Sequence, residues 1–168
     1  MEIILEKINE KHANKKYLKW LNDKEVNKYL ELRHKETKLS DIVSFIKKTS
    51  NSKNTFIYGI FLNHKDNHIG NITLGPISTL YKTAEIGFFI GEKKFWDKGI
   101  MSTAIKEIIK ISKNKFKIKK LIGGCYEINH STKNLFLKNN FKLEGKLRSQ
   151  IVFKKKRLSY LLFGYLIK

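Results

Sequence analysis

Residues 84–111 have the sequence AEIGFFIGEKKFWDKGIMSTAIKEIIKI, and this stretch decides the fold. Its first part, residues 84–90, is apolar over a length typical of a strand. After Gly99, residues that suit a protein core recur at helical spacing, at positions 100, 103, 104, 108 and 111. The stretch therefore predicts a strand, a short turn that contains glycine, and a helix.

The start of this predicted helix is suited to binding an anion. The first turn of a helix leaves backbone N–H groups without partners, and the helix dipole adds positive charge there. Gly99 has no Cβ, so the backbone can approach a phosphate closely. Lysines at positions 93, 94 and 98 increase the positive charge. We therefore predict a phosphate or pyrophosphate site at this turn.

Two blocks of the sequence resemble one enzyme family. Residues 96–104, WDKGIMSTA, resemble the coenzyme A loop of the GNAT N-acetyltransferases, most closely the branch that contains the ribosomal-protein N-terminal acetyltransferases. Residues 129–141, NHSTKNLFLKNNF, resemble the family segment N-x-x-S/A-x-x-L-Y-x-K-x-G-F, and Glu144-Gly145 follows where the family usually has the same pair. The blocks stand in the family's order, about thirty residues apart, and with the flanking strands the resemblance covers nearly the whole chain.

The resemblance implies an α/β fold in which helices flank a single mixed, mostly antiparallel central sheet, in one domain over residues 1–168. In that fold the strand before the coenzyme A loop and the strand after its helix splay apart, and the cofactor enters the gap. Gly87, inside the first of these strands, suggests a bulge there. The patterns elsewhere predict strands at 3–8, 55–62, 69–74, 121–126, 141–153 and 158–167, and helices at 13–21, 23–29, 39–49 and 131–138.

Composition limits the class of protein. The chain has no apolar run near the roughly 20 residues of a membrane span, and its first residues lack the pattern of a secretory signal. A single cysteine, Cys125, excludes an internal disulfide, is expected to be buried and inert, and fits the reducing cytoplasm. We therefore predict a cytoplasmic protein that does not bind membranes.

The net charge of +20 raises the question of nucleic-acid binding. Of the 35 basic residues, only Arg33, Arg148 and Arg157 are arginine, the residue on which base and phosphate recognition relies. The lysines are spread along the chain, which favours solvated faces. A basic nucleic-acid-binding or regulatory domain without catalysis is therefore the rival class that we favour less.

The resemblance also implies which residues contact acetyl-coenzyme A. Backbone N–H groups of the loop would bind the pyrophosphate, and the strand before it would pair with the pantetheine arm. Asn129 suits contact with the cofactor, but it equally suits the N-cap of the following helix. The predicted cofactor residues are Phe88, Phe89, Ile90, Lys98, Gly99, Ile100, Met101, Ser102, Asn129, Thr132 and Asn134. No pair of histidines has metal-ligand spacing, and one cysteine cannot build a zinc site, so no metal is expected.

The family reaction is direct attack of an amine on a thioester, which requires a neutral amine. Glu85, in the predicted strand before the loop, is our candidate for the base, although it could instead face solvent or orient the substrate. His34, His68, Glu127 and Tyr126 are weaker candidates. The family's usual tyrosine acid falls at Phe136, which cannot donate a proton. We therefore predict that water or another hydroxyl, such as that of Tyr126, protonates the thiolate.

The acceptor is a small-molecule amine by this interpretation. Residues 20–29 resemble the W-L-N-D-x-x-V opening of relatives that act on nucleotide-linked aminosugars, so an aminosugar nucleotide used in surface glycans is preferred. The N-terminus of a ribosomal protein is the alternative. We expect the amino-terminal helices, residues 77–82 and the final hairpin to form the pocket, with Trp20 and Tyr29 either in it or in the core. The long carboxy-terminal strands could complete the sheet or pair across a homodimer.

Overall fold

The computed structural model describes residues 2–64 and 66–168. Within these ranges, seven strands form one sheet in the order β1-β2-β3-β4-β5-β7-β6. The strands are β1 Ile3–Lys7, β2 Phe56–Leu62, β3 His68–Ser78, β4 Thr83–Ile90, β5 Lys120–Tyr126, β6 Lys142–Phe153 and β7 Lys156–Leu166. The α-helices are α1 Lys15–Asn22, α2 Leu39–Ser50, α3 Ile100–Phe116 and α4 His130–Lys138, and the 3-10 helices are η1 Glu10–His12, η2 Glu31–His34 and η3 Lys93–Phe95.

The pairing of the strands confirms the predicted mixed sheet. β4 pairs with β5 in parallel, whereas the other neighbouring pairs in the described sheet are antiparallel. The long helix α3 connects the two parallel strands, because a parallel pair needs a crossover connection. The strand of the predicted unit, β4, therefore lies at the centre of the sheet, and the glycine turn and α3 lead from it to β5.

The sheet separates two apolar clusters. One cluster contains the inward face of α3, including Ala104, Ile105 and Ile108, together with Phe136 of α4. The other lies beneath α1 and α2 and includes Tyr17, Trp20 and Ile42. Successive side chains of a strand point to opposite faces of the sheet, so one strand can contribute to both clusters. In β2, Ile57 and Phe61 belong to the second cluster, and Tyr58 and Ile60 belong to the first.

The helix predicted over residues 23–29 is wrong. These residues form turns and bends after α1, which ends at Asn22 and has Asp23 as its C-cap. The Asp23 carboxylate accepts the backbone N–H of Glu25 at 2.9 Å, and the Asn27 side-chain amide donates to the carbonyl of Leu21 at 2.8 Å. Such local side-chain bonds compete with the helical pattern, so the apolar spacing did not produce a helix.

The bulge predicted at Gly87 is also wrong. Gly87 pairs with Thr73 in regular register, and the irregularity lies on the partner strand β3, between Leu74 and Ile77. Pro76 cannot donate a ladder hydrogen bond, and Gly75 has a φ of +131°, so the break in register occurs there. Residues 77 and 78, predicted as part of a connection, belong to β3.

Among the described residues, no helix is both long and apolar enough to cross a membrane. The same residues include no group of three or more histidine, cysteine, aspartate and glutamate side chains placed to hold a metal ion.

Candidate active site

A gap between β4 and β5 is the first feature of the site. The two strands pair only over residues 83–85 of β4, opposite residues 120–122 of β5. Beyond this point β5 continues along β7, and β4 remains paired with β3. The strands therefore separate after Glu85, as the resemblance implied.

Three neighbouring cavities surround this gap. The gap cavity, of about 360 Å³, includes Glu85, Gly87 and Phe88 of β4 and Gly124, Cys125 and Tyr126 of β5 in its lining. The loop cavity, of about 330 Å³, lies beside the turn before α3. The α2 cavity, of about 580 Å³, lies between the sheet and α1, η2 and α2. Leu30 and Phe88 line all three, so the cavities meet at these two side chains.

The turn before α3 is built for a close approach. Gly99 is the N-cap of α3 with a φ of +74°, a left-handed conformation that favours glycine. No atom lies within 4 Å of the position that a Cβ would take there, so the space in front of the turn is open. The indole Nε1 of Trp96 donates to the carbonyl of Ile90 at 2.9 Å, which ties the loop to the end of β4. The structure thus places an open, glycine-capped turn where the sequence predicted an anion site.

Most of the predicted cofactor residues meet in this region. Those that line the loop cavity are Phe88, Phe89, Ile90, Gly99, Ile100, Met101, Ser102, Asn129 and Thr132. Lys98 and Asn134 are exposed and do not belong to this lining. Asn134 is two residues after Thr132 on α4, and side chains two positions apart in a helix face different directions. The lining of the loop cavity is thus formed without these two side chains.

Asn129 is the N-cap of α4, one of the two roles that the sequence suggested for it. Its side-chain oxygen accepts the backbone N–H of Thr132 at 3.2 Å, so it is the N-cap of α4. It also lines the gap and loop cavities, so contact with the cofactor stays a prediction for this side chain.

Glu85 is exposed and lines the gap cavity at the point where β4 leaves β5. Gly87 and Phe89 follow on the same face of β4, because strand side chains alternate. Phe89 packs against the cluster beneath α1 and α2, so this face of the sheet also carries the α2 cavity. The Glu85 carboxylate is therefore on the same face as the α2 cavity.

Tyr126 is buried at the end of β5 and bonded to two charged residues of η2. Its hydroxyl donates to the Glu31 carboxylate and accepts from the Arg33 guanidinium at 2.7 Å. Burial, together with the neighbouring Glu31 carboxylate, raises the pKa of Tyr126 to about 12. Glu31 in turn lines both the gap cavity and the α2 cavity. Sequence reasoning missed Glu31 and Arg33, because η2 has no motif that marks them.

Phe136, at the family's tyrosine position, is a core residue in this protein. It is 1% exposed, stacks on Phe163 with ring centroids 5.0 Å apart, and contacts Phe88 edge-on at 5.6 Å. Its Cζ lies so close to Gly123 that a Cβ there would come within 2.4 Å. The ring forms part of the wall of the gap cavity and presents no polar group to it.

The weaker candidates have other roles or positions. Glu127 accepts the backbone N–H of Ser159 at 2.7 Å and pairs with Lys146, and these bonds lower its pKa. His34 is exposed on η2. His68 is buried outside the lining of the three cavities, and burial lowers its pKa to about 4. None of these three lines the gap cavity.

Cys125 and Trp20 pack as apolar residues do. Burial raises the pKa of the Cys125 thiol to about 11, in agreement with the expected inert, buried thiol. Trp20 is 4% exposed in the cluster beneath α1 and donates its Nε1–H to Glu92 at 3.1 Å. Tyr29, by contrast, lines the gap and loop cavities.

The α2 cavity differs from the expected acceptor pocket. Residues 77–82 and the β6–β7 hairpin do not line it, although Tyr160 of β7 lines the gap cavity. Its lining consists of Tyr17, Leu21, Leu30, Glu31, Leu32, Lys35, Thr37, Asp41, Ile42, Phe45, Ile57, Asn71, Thr73, Gly87, Phe88 and Phe89. The final hairpin therefore contributes to the gap cavity and not to the α2 cavity.

A sheet that splits beside a glycine-capped helix is the arrangement that the resemblance to the coenzyme A-dependent acetyltransferases implied. The chain belongs to the GNAT acetyltransferase family, because the model of the family described as "Acetyltransferase (GNAT) domain" matches residues 2–142. The prediction of an acetyl-coenzyme A-dependent N-acetyltransferase is thereby confirmed at the level of the family.

Individual relatives agree with this assignment. The ribosomal-protein-serine acetyltransferase of Escherichia coli (strain K12) is 32% identical over 84 residues, which are 50% of this chain and 46% of that protein. The chain is thus matched over about half the length of this curated relative.

Two solved structures share the fold. The ribosomal L7/L12 alpha-N-protein acetyltransferase RimL in complex with coenzyme A has a TM-score of 0.88 at 18% identity, covering 98% of this chain and 94% of that one. The spermidine N-acetyltransferase from Vibrio cholerae in complex with coenzyme A and spermine has a TM-score of 0.87 at 16% identity, covering 98% and 95%.

Proposed function

We propose that residues 1–168 act as one N-acetyltransferase domain, which transfers an acetyl group from acetyl-coenzyme A to the primary amine of a small molecule. One observation carries this proposal: the gap cavity shares lining residues with both the loop cavity and the α2 cavity. The loop cavity supplies the anion-binding turn, and the α2 cavity supplies a separate space for an acceptor. The two substrates can then meet beside Glu85.

The chemistry follows from this arrangement. The amine nitrogen forms a bond to the thioester carbonyl carbon, and the bond from that carbon to sulfur breaks. Glu85, directly or through a water molecule, takes the proton that the amine loses. A backbone N–H of β4 beyond Glu85 stabilises the developing oxyanion. The leaving thiolate needs little help, since the reference pKa of a thiol is near 8.5.

For Tyr126 we propose a role different from the one that the sequence suggested. A hydroxyl with a pKa of about 12 does not readily give its proton to a thiolate, and this hydroxyl already donates to Glu31. We propose that Tyr126 positions Glu31 at the junction between the gap and α2 cavities. Water then protonates the thiolate.

The aminosugar nucleotide remains the acceptor that the sequence resemblance favours, and a protein N-terminus remains its alternative. The named relatives add two acceptors to the comparison, a ribosomal-protein serine and spermidine. A concave cavity of about 580 Å³ falls within the range of small-molecule sites, which supports a small molecule over an extended peptide. A cytoplasmic location, a homodimer and little affinity for nucleic acid stay predictions.

A release assay tests this function. The protein is incubated with acetyl-coenzyme A and each of several amines, and free thiol is followed with a colorimetric reagent; mass spectrometry then identifies the acetylated product. We expect at least one amine to increase thiol release far above hydrolysis. Failure of every amine, combined with salt-sensitive binding to DNA or RNA, would favour the non-catalytic class instead.

A further inference from the structure

We propose that the acceptor is an amine with an uncharged, largely apolar body, and that this body occupies the α2 cavity while the amine reaches past Gly87 to Glu85. This inference rests on the proposed function and names the class of its substrate. It departs from the aminosugar nucleotide that the sequence favoured.

Apolar side chains form most of the walls of the α2 cavity. They include Leu21 of α1, Leu30 and Leu32 at η2, Ile42 and Phe45 of α2, Ile57 of β2, and Phe88 and Phe89 of β4, whereas β3 contributes the polar Asn71 and Thr73. Burying a methylene group in such surroundings improves binding by roughly fourfold. An acceptor with an aliphatic or aromatic body should therefore bind more tightly in this cavity than a polar one.

The polar groups of these walls are mostly bonded within the protein. The Asp41 carboxylate accepts the backbone N–H of Lys38 at 2.9 Å, and the Thr73 hydroxyl donates to the carbonyl of Gly87 at 3.0 Å. Among residues 2–64 and 66–168, two buried atoms of the lining lack a partner, Thr37 Oγ1 and Asn71 Nδ2. Such walls can satisfy one or two polar groups, whereas the hydroxyls of a sugar would be left mostly unpaired at a cost.

The charges of the lining also disfavour a diphosphate. Glu31 and Asp41 are negative, and Lys35 is the basic residue among the described lining. Glu31 lies at the junction with the gap cavity, where a carboxylate suits a positively charged amine before it loses its proton. A nucleotide diphosphate in this cavity would meet two carboxylates.

Gly87 provides the passage between the cavities. It belongs to the lining of both, and a Cβ at this position would come within 3.0 Å of the Thr73 hydroxyl oxygen. Glu85 lies two residues earlier on the same face of the strand. An amine on the end of an apolar chain can therefore pass over Gly87 to the proposed base.

A homologous series tests the inference. We would measure kcat/KM for unbranched alkylamines from propylamine to octylamine, for phenethylamine, and for glucosamine, an aminosugar nucleotide, spermidine and a peptide with an N-terminal serine. We expect kcat/KM to rise roughly fourfold for each added methylene until the cavity is filled. The polar amines are expected to be slower than the best apolar amine by at least tenfold.

A pair of variants locates the effect. Phe45 lines the α2 cavity and is 44% exposed, so Phe45→Gln can reduce the apolar wall without opening the core. Leu137 of α4 is similarly exposed at 47% but lies outside the cavity linings, so Leu137→Gln is the matched control. We expect Phe45→Gln to flatten the dependence on chain length and Leu137→Gln to leave it unchanged.

The outcomes separate this inference from the proposed function. If an aminosugar nucleotide, spermidine or the peptide is acetylated at least tenfold more efficiently than every apolar amine, the transferase stands and the apolar acceptor is wrong. The inference is also overturned if kcat/KM does not change with the length of the alkylamine and Phe45→Gln has no effect on it. If no amine is acetylated although acetyl-coenzyme A binds, the proposed function itself fails.

Discussion

The hydroxyl of Tyr126 donates a hydrogen bond to the carboxylate of Glu31, although the two residues are 95 positions apart in the chain. The guanidinium of Arg33 donates to the same hydroxyl at 2.7 Å and lies over the ring of Tyr126. This cluster attaches η2 to the end of β5. It thereby holds Glu31 where the gap cavity meets the α2 cavity.

The first prediction concerns this cluster. In Tyr126→Phe we expect KM for the amine to rise roughly tenfold, because a hydrogen bond that orients a carboxylate is lost. The value of kcat should change by less than about threefold, since the tyrosine proton is not transferred. Steady-state kinetics in both substrates, with exposed Tyr81→Phe as the control, check this expectation.

A general acid would behave differently. If Tyr126→Phe lowered kcat by a hundredfold with KM unchanged, Tyr126 would be the proton donor after all. Because the pKa of Tyr126 is about 12, its ionisation should also leave the activity of the wild type unaffected up to about pH 10.

The second prediction concerns the proposed base. Glu85→Gln keeps the size of the side chain but cannot accept the amine proton, so we expect kcat/KM to fall by about 10²–10⁴ near neutral pH. The affinity for coenzyme A should be unchanged. Glu144 of β6, which pairs with Lys120 outside the gap lining, provides the control Glu144→Gln. Full activity of Glu85→Gln would exclude catalysis by this carboxylate.

The third prediction concerns the turn before α3. In Gly99→Ala we expect the dissociation constant for acetyl-coenzyme A to rise at least roughly tenfold, because a methyl group would stand between the turn and the phosphates. The left-handed φ of +74° adds a cost of about 1 kcal/mol to folding. Thermal-shift titrations measure both effects.

Gly145→Ala is the control for the turn. Gly145 lies on the edge strand β6, where the nearest side-chain atom to a new Cβ is 3.6 Å away. Its thermal shift with acetyl-coenzyme A should equal that of the wild type. An undiminished shift in Gly99→Ala would show that the phosphates bind elsewhere.

The fourth prediction concerns the family's tyrosine position. In Phe136→Tyr we expect a loss of roughly 1–3 kcal/mol in the free energy of unfolding, because the added hydroxyl is forced into a packed core. The Cζ atom that would carry it already lies against Gly123. Denaturant unfolding measures the loss, and kcat should not rise. A faster enzyme of unchanged stability would show that the ring can reach the leaving thiolate.

The fifth prediction concerns His68, which lies among the rings of Phe61, Trp20 and His12. Burial lowers its pKa to about 4, and the nearby positive charges of His12 and Lys16 act in the same direction. As the pH falls, His68 of the unfolded chain binds a proton near pH 6.5, whereas His68 of the folded protein binds one only at lower pH. Stability contributed by the neutral ring is therefore present above about pH 6.5 and lost as the pH falls toward 4.

The size of this loss is on the order of 3 kcal/mol. It should be measured as the difference in the free energy of unfolding between pH 7 and pH 4, for the wild type and for His68→Gln. We expect the variant to depend less on pH, while exposed His64→Gln behaves as the wild type does. Equal pH dependence of all three proteins would contradict a pKa this low.

The sequence predicted the centre of the fold because the relevant signals are local. The apolar run of β4, the glycine at 99 and the helical spacing of α3 lie within residues 84–111, and each acts on its immediate neighbours. The N-cap at Asn129 is a signal of the same kind, since it bonds a backbone group three residues away. The helix predicted at residues 23–29 was wrong because the side chains of Asp23 and Asn27 form hydrogen bonds with the backbone. The spacing of apolar residues does not reveal such bonds.

The sequence by itself thus predicted the mixed sheet, the strand β4, the glycine turn and the helix α3. Only the tertiary structure decided that Glu31 is held by Tyr126, that Phe136 belongs to the core, and that the α2 cavity has apolar walls. The reason is physical: turns, caps and helical periodicity depend on residues a few positions apart. A cavity wall or a hydrogen bond between η2 and β5 depends on how distant segments pack, and no short stretch of sequence encodes that packing.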